Sequence, residues 1–101
     1  MKKLVPNLMV EDVNKTLKFY KEILGFETVM TVPQEGEFNW AMMKNGHVEI
    51  MFQKKESLCQ EIPDFKDKKI CGTFTLYIDV PDINKLYMDI KNKVTVVKCY
   101  I

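Results

Sequence analysis

Apolar positions along the chain change their period several times, and each change marks an element. Leu4–Val10 is a short apolar run between polar residues and reads as a strand. Asp12 follows as a helix N-cap. Val13, Leu17, Tyr20 and Leu24 then recur at helical spacing, flanked by Thr16, Phe19 and Ile23, with Asn14, Lys15, Lys18, Lys21 and Glu22 on the polar side. Gly25 stands where a left-handed C-cap glycine belongs. Thr28–Pro33 is a strand rich in β-branched residues, and 34–37 is a loop. The strongest local signal is Phe38–Lys44, Asn45-Gly46 and His47–Gln53. Asn-Gly between two apolar-rich runs predicts a hairpin with a type I′ turn, which needs positive φ at both central residues. Residues 54–69 are polar and charged around Pro63, a connection with room for a helical turn. Gly72–Val80 reads as another strand, Pro81-Asp82 opens a helix carrying Ile83, Leu86, Tyr87 and Ile90, and Val94–Val97 begins a last strand.

The chain repeats itself. Val10-Glu11-Asp12-Val13-Asn14-Lys15 is matched by Val80-Pro81-Asp82-Ile83-Asn84-Lys85, an offset of 70 residues. Both stretches close a strand, cap a helix with Asp and start an amphipathic stripe. The first copy has strand, helix and three strands. The second has a strand, a helix and the start of one more, so about 22 residues of sheet are absent from it by comparison with the first. The predicted organisation is a module at 1–53, a linker at 54–71 and a shortened module at 72–101, within one compact α+β domain. A shortened chain, an altered reading frame, or a natural form that completes its sheet in a partner would each account for the short second copy.

Strand residues alternate faces. Ala41 and Met43 fall on one side with Val48, Ile50 and Phe52, an apolar face suited to packing on the helices. The other side holds Phe38, Trp40 and Met42 with His47, Glu49, Met51 and Gln53. In the first strand Leu4, Leu8 and Val10 oppose Val5, Asn7 and Met9; after the linker Phe74, Leu76 and Ile78 oppose Thr73, Thr75 and Tyr77. The mixed faces would line a concave surface of apolar and aromatic side chains with sparse polar groups, the make-up of a small-molecule pocket. They would equally serve as a second core, since methionine adapts to irregular packing.

Composition narrows the function. A formal net charge of +1 with dispersed lysines argues against nucleic-acid binding. The sequence has no apolar stretch near the roughly 18 residues a membrane span needs. Cysteines 59, 71 and 99 are odd in number and lack a Cys-x-x-Cys spacing, which favours a reducing cytoplasm over a disulfide framework.

Phe19-Tyr20-Lys21-Glu22-Ile23-Leu24-Gly25-Phe26, together with Asp12, resembles the first-helix phrase of the glyoxalase/bleomycin-resistance/dioxygenase (vicinal oxygen chelate) superfamily. His47-Val48-Glu49-Ile50-Met51-Phe52 resembles its fourth strand. The resemblance runs from Leu4 to about Lys93 and implies duplicated βαβββ modules. It also implies positions for metal ligands in metal-dependent members such as lactoylglutathione lyase and the ring-cleaving dioxygenases. Those positions fall on Val5, Glu49 and Thr73, and the last lies beyond Ile101. A divalent metal usually takes three or four His, Cys or carboxylate ligands. Glu49 alone matches, so no cofactor is expected and a divalent metal is disfavoured. His47, two residues away beside the turn, reads as a surface residue.

Two main readings follow. The first is a non-catalytic protein of the bleomycin-resistance kind, binding a small aromatic or cationic molecule without metal, with ligand contacts from Trp40, Phe38, Met42, Met51, Asn7 and Tyr77 and with Glu49 against a positive group. The alternative is a metal-dependent lyase or dioxygenase of the glyoxalase type, its ligands completed by a partner subunit, with Glu49 as base or ligand. A third reading is an assembly module without a small-molecule role. Unpaired sheet edges recruit partners, so a homodimer with exchanged or paired edge strands is expected.

Overall fold

The computed structural model describes residues 1–70 and 75–95. The chain divides into two compact units, Met1–Cys71 and Gly72–Ile101. The first unit runs β1 (Asn7–Val10), α1 (Val13–Leu24), β2 (Glu27–Val32), β3 (Trp40–Asn45), β4 (Val48–Lys54) and α2 (Lys55–Glu61), followed by a 3-10 turn at Pro63–Phe65. The second unit holds α3 (Ile83–Ile90). Sheet order is β1-β4-β3-β2. β1 runs parallel to β4, and the β2/β3 and β3/β4 pairs are antiparallel. The α+β architecture is the one the sequence predicts, with the first module's βαβββ order in place.

Both long helices start alike. Asp12 sits in extended conformation and its carboxylate accepts from the Lys15 N–H at 3.0 Å. Asp82 does the same for Lys85 at 3.1 Å, 70 residues on. The repeated phrase thus specifies the same cap twice. Gly25 closes α1 at φ 72° in the left-handed region, where an L side chain is strained.

The core lies between α1 and one face of the sheet. Val13 and Leu17 pack with Phe26, Ala41, Met43, Ile50 and Phe52. Tyr20 joins from α1, its ring 4.7 Å from Phe52 and 5.6 Å from Phe26. Burial of Tyr20 pushes its hydroxyl above the ordinary tyrosine pKa.

Several expectations are corrected. The strand expected from Leu4 begins at Asn7, because Pro6 has no N–H to donate to a ladder, and Leu4 is exposed. The hairpin turns on Gly46-His47, not Asn45-Gly46: Asn45 pairs with Val48, and Gly46 alone has positive φ. That is the pattern of a II′ turn, with glycine at the first central position. Asn45 stays in the strand because its side-chain amide donates to the Leu24 carbonyl at 3.0 Å, tying the hairpin to the end of α1. Val48 is 60% exposed, since α1 has already ended beside this pair.

Phe38 is also displaced from its expected face. It precedes β3 and packs against the hydrophobic core. Asn14 on α1 holds the loop in place: its amide donates to Gly36 O and its oxygen accepts from Phe38 N, at 3.0 and 2.9 Å. Lys54 ties down the same loop through Glu37 at 2.6 Å, and that carboxylate holds the Lys54 ammonium above the usual lysine value.

The expected connection after residue 53 contains α2, seated by Leu58, which is 6% exposed. In the second unit, 75–80 form no strand among the described residues. A strand exists by its ladder, and no described strand pairs with this stretch. Residues 72–74 and 96–101 of the expected strands lie outside the described residues. α3 carries Leu86, Tyr87 and Ile90 half-buried and Ile83 exposed.

Candidate functional site

The sheet face away from α1 carries the mixed residues, and the register arranges them in rows. One row is Val32, Trp40, Gln53 and Met9, running from β2 to β1. The next is Met30, Met42, Met51 and Asn7. A third, toward the hairpin turn, is Glu27, Lys44 and Glu49. Residues opposed across an antiparallel ladder share a face with Cβ atoms about 4.5–5.5 Å apart, so each row sets its side chains beside one another. Trp40, Met42, Met51 and Met9 are half-buried, while Met30 and Val32 are exposed. The face is therefore an apolar, partly solvated surface with charge at one end.

Its polar centre was not singled out by the sequence. Gln53 is 3% exposed, and both ends of its amide are satisfied. Asn7 donates to Gln53 Oε1 at 2.9 Å, and Gln53 Nε2 donates to Ser57 Oγ at 3.0 Å. Ser57 belongs to α2, which thus covers the Gln53 end of the face. A buried amide without partners would be costly, so the chain orients Asn7 and Ser57 around it. The sequence set Gln53 on the mixed face without marking it as buried, because α2, which covers it, is too short and too charged to show in the apolar pattern.

Glu49 is the carboxylate that the sequence resemblance set at a ligand position. Its side chain is 19% exposed and pairs with Lys3 Nζ at 2.5 Å. The same Oε2 is shielded from solvent and receives no aligned hydrogen bond, so the pairing is one of charge rather than of a directed N–H. Pro6 O accepts from Met51 N, which continues the β1–β4 register and sets Val5 level with Glu49. Val5 has no donor atom. His47 is exposed in the turn, and Thr73 lies outside the described residues. Among the described residues, no group of three or more His, Cys, Asp or Glu side chains is placed to hold a metal ion. Tyr77 belongs to the second unit and is 95% exposed.

An open cavity of about 300 Å³ lies at the turn end of the hairpin, lined by Gly25, Asn45 and Gly46 together with Glu27 and Lys44 of the charged row. Its lining is polar and lacks the aromatic and thioether walls of the Trp40 and Met42 rows. No helix of the described residues is long and apolar enough to cross a membrane.

Residues 4–98 match the family described as the Glyoxalase/Bleomycin resistance protein/Dioxygenase superfamily. The protein YraH of Bacillus subtilis (strain 168), itself uncharacterized, is 30% identical over 96 residues, spanning 92% of this chain and 73% of that protein. A virulence protein from Salmonella typhimurium superposes with a TM-score of 0.65 at 25% identity, over 100% of this chain and 76% of that one. The bleomycin-binding protein of bleomycin-producing Streptomyces verticillus, solved with copper(II)-bleomycin, gives 0.61 at 22% identity, over 96% and 67%. The last likeness establishes the fold alone.

Proposed function

The chain belongs to the glyoxalase/bleomycin resistance protein/dioxygenase superfamily, and on that footing we propose that it binds a small, flat aromatic or cationic molecule on the mixed face of its sheet, without a metal. The observation that carries this reading is the row order: an indole and a run of thioethers, half-exposed or exposed, beside the part-buried Glu49 carboxylate. Trp40 offers a rigid stacking surface. Met42 and Met51 adapt their shape to a ligand that is not fixed in outline. Asn7, exposed at the β1 edge, adds a polar contact, and Glu49 receives a positive group. One matching carboxylate, already paired with Lys3, is too little for a divalent chelate, so the family's binding branch fits better than its metal-dependent branch.

Among the described residues, β1 and β2 are the edges of the sheet. A homodimer that pairs or exchanges edge strands would cover them and narrow the open face into a groove.

Lys3 occupies the place this reading gives to a ligand's charge. Lys3→Gln is expected to raise affinity for a flat cation such as proflavine by about two- to fivefold, the range of a partly exposed ion pair. Glu49→Gln should lower it by a similar factor, and a neutral naphthol should be indifferent to both, as read by calorimetric titration. Equal effects on cation and neutral probe would remove Glu49 from the site.

The metal-free assignment is tested by thermal melts in EDTA and then in excess zinc, nickel, cobalt, manganese or iron(II). A ligand bound only by the folded state, at a hundredfold excess over its dissociation constant, adds about 2.7 kcal/mol. No rise with any metal is the expected result. A rise with one metal that disappears in Glu49→Gln would instead support a lyase or dioxygenase whose other ligands come from elsewhere.

A further inference from the structure

The sheet face holds a sulfur chemistry that ligand stacking does not require. Met30, Met42 and Met51 lie in one register row across three adjacent strands. All three reach the same face, and none is closed off by the core: Met30 is 56% exposed, and Met42 and Met51 are half-buried. The Cβ atoms of such opposed residues are about 4.5–5.5 Å apart. Each thioether sulfur stands two bonds beyond its Cβ on rotatable bonds, so the central Met42 sulfur has both neighbours within side-chain reach, while Met30 and Met51 must lean inward over it, Met30 from beside a register shift in β2. Metal–sulfur bonds near 2.3 Å place three sulfurs roughly 4 Å apart in a trigonal plane, within reach of that row. Trp40 is the next residue on this face of β3, two positions from Met42. An indole is the best π surface for a cation held close to it.

We propose that the Met30–Met42–Met51 row, with Trp40 beside it, is a binding site for a soft monovalent cation, copper(I) or its analogue silver(I). Neutral thioethers select soft ions and are poor ligands for the hard and borderline divalent metals that carboxylates and imidazoles hold. The site is therefore distinct from the family's vicinal oxygen chelate, which uses Glu49, and goes beyond the aromatic-ligand reading. Coordination requires sulfur, which leucine cannot supply. Leucine conserves the volume of methionine, which makes the exchange a clean test.

The test uses the full chain with Cys59, Cys71 and Cys99 changed to Ser, because thiolates would otherwise take the ion first; if Cys59→Ser unfolds the chain, Cys59→Ala replaces it. Methionines are labelled at the methyl carbon and silver(I) is added in chloride-free buffer. The expected result is that three of the seven methionine methyls move together and saturate at one equivalent. Trp40 fluorescence should fall over the same range. Core Met43 and exposed Met1 and Met88 report background and should stay still. Met42→Leu with Met51→Leu should weaken binding at least tenfold and leave the melting temperature in place; Met42→Leu alone provides the same reading if the pair does not fold. Shifts spread over all methionines in order of exposure, binding without methyl shifts, or unchanged affinity in the leucine variants would each overturn the site.

Discussion

Phe52→Ala is expected to destabilise the chain by about 3–5 kcal/mol, the usual range for truncating a buried phenylalanine. Phe52 is 1% exposed, opposes Ala41 and Leu8 across two ladders, and meets the Tyr20 ring at 4.7 Å. It joins α1 to the centre of the sheet, so its loss opens a cavity that neighbouring strands cannot close. Domains of this size are stable by only about 5–15 kcal/mol, and the variant should lose a large part of that. Val48→Ala, on the same face of the same strand but 60% exposed, should stay within about 0.5 kcal/mol. Urea denaturation of the two variants measures both. A cost below 1 kcal/mol at Phe52 would mean that α1 does not pack on this face.

Trp40→Ala is expected to lower affinity for a flat aromatic cation by about 30- to 100-fold, as for an aromatic anchor worth about 2 kcal/mol or more. The residue stands in the row between Val32 and Gln53, half-buried, with thioethers in the adjacent row. Trp40→Phe keeps a stacking ring and should retain most of the affinity. The comparison is made by calorimetry, since the Ala variant has no tryptophan to observe. Equal affinity in wild type and Trp40→Ala would place the ligand off the sheet.

Much of this was legible in the sequence because the signals were local. Asp12 and Gly25 frame α1 by side-chain and backbone chemistry that needs no tertiary partner, and Asp82 repeats the cap. The hairpin was legible too, but its turn was displaced by one residue. An Asn45-Gly46 turn would oppose Lys44 to His47; the Gly46-His47 turn opposes Asn45 to Val48 instead. Every opposed pair thereby shifts by two, and two is the period of a strand, so Ala41, Met43, Ile50 and Phe52 keep the core face. What the pattern could not show depended on distant partners. Phe38 joins the core because Asn14, on α1, holds its loop. Gln53 is buried because Ser57 and α2 cover it. The Lys3–Glu49 pair joins residues far apart in sequence, and charge pattern alone does not select Lys3 among fifteen basic residues.

The central claim is that the sheet face binds its ligand with its own side chains and no divalent metal. The direct measurement is titration of the wild-type chain with proflavine after exhaustive dialysis against EDTA, followed through the intrinsic fluorescence of Trp40, the single tryptophan. The account predicts saturable quenching, unchanged when zinc, nickel, cobalt, manganese or iron(II) is restored. Quenching that is absent in EDTA, returns only with one of these metals and is lost in Glu49→Gln would contradict it.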